Sequence, residues 1–159
     1  MSVDTLFVAY RFGIVHTTEY DDDPEIPEKF VEDLVGARST DGFLFHTARH
    51  TETVTVDGVE VRASRPPLEV TADWEEAVEI SFTATQSLIG IRSFEDSVNE
   101  RWKLTAGPGT YRVLALAIGR NIPQPDDEDM SPERFMFHIW PSAWAEPITH
   151  KSIGFYYNG

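Results

Sequence analysis

The run Gly107-Pro108-Gly109-Thr110-Tyr111-Arg112-Val113-Leu114-Ala115-Leu116-Ala117-Ile118-Gly119 decides the fold. Gly-Pro-Gly is turn chemistry, because proline presets the backbone for the first corner and glycine accepts the positive φ that tight turns demand. Beyond the turn, Tyr111, Val113, Ala115 and Ala117 alternate with Arg112, Leu114, Leu116 and Ile118, so both faces are largely apolar. A strand with no polar face has to be covered on two sides. Thr110 to Gly119 is therefore expected to be a core strand of a sandwich.

On the C-terminal side, Asn121 to Glu133 reads as a polar loop. Phe135, Phe137 and Ile139 then alternate with Met136, His138 and Trp140, giving the antiparallel partner to which the loop returns, and Ile153 to Tyr157 can add a last strand. On the N-terminal side, Val78, Ile80 and Phe82 alternate with Glu79 and Ser81, a pattern suited to a half-solvated antiparallel strand, and sheet continues through Leu88, Ile89 and Ile91. Phe43 and Phe45 open a further stretch of period two. Val54, Val56, Val59 and Val61 flank Asp57-Gly58, a dipeptide that predicts a hairpin turn, and Pro66-Pro67 ends this region. Thr5 to Thr17 has the composition of a first strand pair or of one long bent strand, with Gly13 as the break. One helix is expected: Pro27 stands in its first turn, Phe30, Val31, Leu34 and Val35 form an apolar stripe, and Gly36 stops it. Short strands at roughly 8 to 12 residue spacing give a mostly β chain, an antiparallel β-sandwich with one short helix, in a single domain over 1–159.

The chain has 159 residues and a formal net charge of -14. Its hydrophobic content of 41% is too rich for a disordered chain despite the charge, so it folds. There is no cysteine, which removes disulfides, thiol nucleophiles and thiolate metal ligands and favours a reducing compartment. The N-terminus lacks a basic leader and the first apolar run is broken by Arg11, so a cytoplasmic protein without membrane association is expected.

The carboxylates gather in two segments. One contains Asp21, Asp22, Asp23 and Glu25, and the other is Asp126, Asp127, Glu128 and Asp129. Like charges in a loop commonly serve solubility, but two clusters brought to one end of a sandwich would add their fields and steer a basic protein. Clustered acids cannot hold a phosphate backbone, yet they can occupy a cationic cleft built for one. Tight binding would also need an aromatic anchor. Trp140 lies on a strand and suits the core, whereas Trp144 is the expected exposed contact.

Other chemistry finds little support. His46 and His50 are four apart, but on a strand that spacing separates them by about 13 Å, too far to share an ion. Asp126 to Asp129 lack the glycine and distal glutamate of a calcium loop. No Gly-x-Ser-x-Gly elbow, phosphate-binding loop or dinucleotide fingerprint occurs, so no enzyme, metal or cofactor is expected. Thirteen basic residues without a run oppose direct nucleic-acid contact.

The order of these elements, with Asp41-Gly42-Phe43-Leu44-Phe45, Val78-Glu79-Ile80-Ser81-Phe82 and Gly107-Pro108-Gly109-Thr110-Tyr111-Arg112-Val113 before a long acidic loop, resembles the competence nuclease inhibitor (ComJ) family. It is also similar to small actinobacterial β proteins of immunity type that close on Trp-Pro, here Trp140-Pro141. The resemblance implies an acidic protein that binds and silences a nuclease. The expected function is inhibition of a nuclease or other toxin by occluding a cationic site. The alternative is a small-ligand-binding or structural sandwich module whose acidity serves solubility.

Overall fold

A computed structural model describes residues 4–8, 12–17, 26–48, 52–93, 101–122 and 130–154. Two sheets face each other. The larger has six strands in the order β1 (Asp4–Val8), β5 (Glu52–Val61), β10 (Met130–Pro141), β9 (Gly109–Ile118), β6 (Glu76–Ala84) and β11 (Ile148–Lys151). The smaller has five in the order β3 (Val35–Ala37), β4 (Phe43–His46), β2 (Phe12–His16), β7 (Leu88–Ser93) and β8 (Arg101–Lys103). All pairings are antiparallel except β10 with β5, so the protein is mostly β with a mixed larger sheet.

β9 lies inside the larger sheet between β10 and β6, as its two apolar faces require. Tyr111, Val113, Ala115 and Ala117 point into the inter-sheet core with Phe43, Phe45, Phe82, Phe135 and Phe137. Phe45 packs its ring 4.9 Å from both Phe135 and Phe137, which joins the two sheets across the middle. Leu114 and Leu116 point the other way into a second cluster with Ala77, Met136 and Trp140, capped by Val70 and Trp74. Burying each of these large side chains stabilises the fold by about 1.5–3 kcal/mol.

Several sequence expectations are corrected. No helix covers Pro27 to Gly36. Val31 and Val35 form an antiparallel bridge around a tight turn in which Glu32 and Asp33 both take positive φ, 53° and 52°. The apolar spacing fits this equally well, because Leu34 and Val35 enter the core while Phe30 folds outside and stacks on His46 at 3.8 Å. Gly36 is not a helix stop. A Cβ there would meet the Lys29 carbonyl at 2.5 Å, so glycine lets the 27–30 segment lie directly on β3. Among the described residues the one helical turn is a 3-10 turn at Leu68–Thr71.

Asp57-Gly58 does not make a hairpin. β5 runs through it, and the register with β10 slips between Phe135 and Met136 opposite these residues, so the dipeptide is a bulge. The first two strands belong to different sheets, with Gly13 inside β2 under the Phe45 ring rather than between them. Glu79 and Ser81 are buried, not half-solvated, because the chain after β10 folds over them. The region read as a loop from Asn121 to Glu133 ends earlier, since β10 starts at Met130 and Glu133 is buried, accepting from Ala48 N at 2.5 Å. The last described strand is Ile148–Lys151. Ile153 lies beyond it outside any strand, and Tyr156 and Tyr157 are outside the described residues. Among the described residues no helix is long and apolar enough to cross a membrane.

Candidate functional site

Where β3 of the smaller sheet meets β6 of the larger, the surface opens into a groove of about 730 Å³. One wall is Ile26 to Lys29 and Val31 with Gly36 to Ser39, the other is Trp144 to Pro147, and Ile80 and Ser81 of β6 also line it. Two large apolar side chains stand exposed here, Trp144 at 64% and Ile26 at 51%. Trp144 is the most exposed large apolar side chain among the described residues.

Both walls are held by buried arginines. Arg112 on β9 donates through Nε to Glu79 Oε2 at 3.1 Å and through Nη1 to Ser81 Oγ at 3.0 Å. Its remaining donors capture backbone: Nη1 gives to Ala145 O at 2.8 Å and Nη2 to Glu146 O at 2.6 Å. Ser81 Oγ in turn accepts from Ala145 N at 3.0 Å. The residues just after Trp144 are thus fixed from below. The opposite oxygen of Glu79 accepts from Arg65, and His150 Nε2 lies 2.9 Å from it. Local sequence explains why the strand tolerates this charge: Glu79 and Arg112 sit on neighbouring strands two register positions apart, within diagonal reach.

Arg120, just past β9, does the same for the other wall. It forms a two-pronged pair with Glu76 at 2.7 and 2.6 Å and donates to Asp33 O at 2.7 Å and Glu32 O at 3.3 Å. Those carbonyls belong to the two residues with positive φ. Each such residue costs about 1–2 kcal/mol without glycine, and the guanidinium offsets that cost by binding the turn in this shape. Asp33 Oδ1 also lies 2.7 Å from His46 Nδ1, and Glu32 accepts from Thr149 and Ser152, so the turn is tied to both sheets. Elsewhere, burial and Arg62 lower the pKa of His138 on β10, outweighing the opposing pull of Glu60.

Of the residues expected to meet a partner, Trp144 lies in the groove. Asp21, Asp22, Asp23, Glu25, Asp126, Asp127, Glu128 and Asp129 are outside the described residues. Within the groove the charges are Glu28, Lys29, Arg38 and Glu146. Sequence reading missed the two arginines that shape the walls. Single basic residues ending or interrupting an apolar strand, as at Arg112 and Arg120, were the available signal. Among the described residues no group of three or more His, Asp or Glu could hold a metal ion.

No family model and no curated protein matches the chain. Two solved structures are similar in fold. A crocagin biosynthesis J protein is 13% identical, with a TM-score of 0.48 over 90% of this chain and 100% of that one. ComJ from Bacillus subtilis, an inhibitor of the DNA-degrading activity of NucA, is 15% identical, with a TM-score of 0.56 over 89% of this chain and 96% of that one, and the two proteins share a fold.

Proposed function

We propose that this protein is a non-catalytic inhibitor of immunity type, which binds a basic nuclease or other toxin and occludes its cationic site. The observation that carries the reading is the fold shared, over nearly the full length of both chains, with an inhibitor of a DNA-degrading activity. Two features of this chain support it. A net charge of -14 suits a protein that competes with nucleic acid for a positive cleft, and Trp144 supplies an exposed aromatic anchor on a loop that Arg112 has already ordered. Ordering the loop before binding reduces the entropy lost on association. In this reading the chain acts as one domain in the cytoplasm, with the acidic segments at Asp21 to Glu25 and Asp126 to Asp129 steering the approach. It needs no cofactor and makes no nucleic-acid contact of its own.

The test is capture from native lysate at low ionic strength, followed by a DNA-degradation assay on the bound protein. The expected result is a basic protein that degrades DNA when released and is silent in the complex. Recovery of no such protein, with a small molecule retained instead, would favour a ligand-binding module.

A further inference from the structure

On the outer face of the larger sheet, away from the groove, an arginine holds a buried histidine in one tautomer. His138 shares that face of β10 with Met136 and Trp140 and is 5% exposed. Its register partners are the apolar Leu114 on β9 and Glu60 on β5. Arg62, just past the end of β5, donates through Nε to His138 Nδ1 at 3.2 Å. A guanidinium nitrogen can only donate, so Nδ1 carries a lone pair and the proton of the neutral ring sits on Nε2. Glu60 Oε2 lies 3.7 Å from the same Nδ1, beyond hydrogen-bond range, while Glu60 Oε1 pairs with Arg62 Nη2 at 3.0 Å. One ring nitrogen thus faces a cation and a carboxylate, and only the cation is engaged.

The surroundings let that choice reverse. The Arg62 and Glu60 side chains are 28% and 39% exposed, so neither is packed in place. The Arg62 backbone is fixed independently, with N donating to Ile139 O at 2.7 Å and O accepting from Thr105 Oγ1 at 3.1 Å, which confines movement to the side chain. The other charges on this face are committed elsewhere: Arg65 lies over the Trp140 ring at 5.9 Å and pairs with Glu79 of β6, which also binds Arg112 and His150.

We propose that His138, Arg62 and Glu60 form a proton-operated switch, in which Nδ1 takes a proton from solvent, exchanges Arg62 for Glu60 as its partner, and frees the Arg62 Nε–H toward water. The switch is independent of the inhibitor reading above. In the neutral state Nδ1 accepts from Arg62. Once protonated it has no lone pair to offer, and two cationic N–H groups cannot point at each other, so Arg62 turns outward. Glu60 has to close by about 1 Å to accept from Nδ1–H, within reach of a side-chain rotation. Burial of the ring and the Arg62 charge both oppose the proton, which places the exchange below the ordinary 6.5. Its product is one more positive charge on this face and a guanidinium no longer bound to the ring.

The test is a pH titration of the 15N-labelled full chain by long-range proton–nitrogen correlation of the histidine rings, with His138→Gln identifying the His138 signals. In mildly alkaline buffer Nδ1 should resonate as a bare nitrogen and Nε2 as a protonated one. Below a midpoint under 6.5 both should be protonated, and the Arg62 Nε–H resonance should move with the same midpoint. Arg62→Met removes the donor and the opposing charge, so the midpoint should rise by at least about 0.5 and the neutral ring should become a mixture of tautomers. Glu60→Gln should lower the midpoint by about 0.5. A merely structural role for these side chains would change stability and leave tautomer and midpoint alone. The proposal is overturned by a neutral ring protonated on Nδ1, by a midpoint that neither variant moves, by an Arg62 Nε–H static through the titration, or by a chain that unfolds before His138 takes up its proton. Should a variant fail to fold, the wild-type tautomer and the shared midpoint decide alone.

Discussion

Replacing Arg112 by methionine isolates the device that holds Trp144 in place. Arg112 and Glu79 are 2% and 1% exposed, and removing one member of a buried pair costs about 3–5 kcal/mol because the other is left uncompensated. Here Glu79 keeps Arg65 and His150 on its second oxygen, which puts the expected loss at the lower end, about 3 kcal/mol. The freed carbonyls of Ala145 and Glu146 belong to exposed residues and can turn to water, so they add little. With a urea slope of about 2 kcal/mol/M, the unfolding midpoint should fall by about 1.5 M. Arg112→Lys keeps the charge but not the planar fork, and should fall between. Amide exchange adds a local readout, since Ala145 N donates to Ser81 Oγ and its protection should drop more than that of β9. A loss below about 1 kcal/mol with Ala145 exchange unchanged would show that the guanidinium does not organise this wall.

Arg120→Met should cost about 3–5 kcal/mol in urea unfolding, because Glu76 has no second cation among its described partners, and adding Glu76→Leu should recover most of the loss. Trp144→Ala should leave stability within about 0.5 kcal/mol, given its exposure, while weakening partner binding by about 2 kcal/mol or more in calorimetry. Gly13→Ala should destabilise by about 1–3 kcal/mol, since the added carbon would meet the Phe45 ring at 2.1 Å. His138 is held below its ordinary 6.5, so the unfolded chain binds its proton first. Its contribution is present above pH 6.5 and is lost as pH falls below that value, with a slope of at most about 1.4 kcal/mol per pH unit, which His138→Gln should remove. Charge reversal at Asp126, Asp127 and Asp129 should slow association several-fold in stopped flow.

The strands were legible where period two was unbroken and both neighbours agreed with it, as in β9, β6 and the second half of β10. The helix at Pro27 was misread because a four-residue apolar spacing also fits a chain that doubles back. What selects the turn is Arg120, 87 positions from Asp33, and no local pattern contains that contact. Asp57-Gly58 failed for a related reason: the strands paired with β5 are β1 and β10, so the dipeptide had no adjacent partner to turn toward. Trp144 was separable from Trp140 because the latter sits in an alternating strand. The groove itself was hidden, since its walls come from segments more than 100 residues apart.

The proposed electrostatic occlusion is tested most directly by the association rate of the purified protein with the basic nuclease proposed as its partner, measured across salt. Screening shortens the range of the field, so the rate should fall at least about tenfold between about 0.05 and 0.5 M salt, and DNA degradation should be blocked at one equivalent of inhibitor. A rate indifferent to salt, or a saturated complex that still degrades DNA, would contradict it.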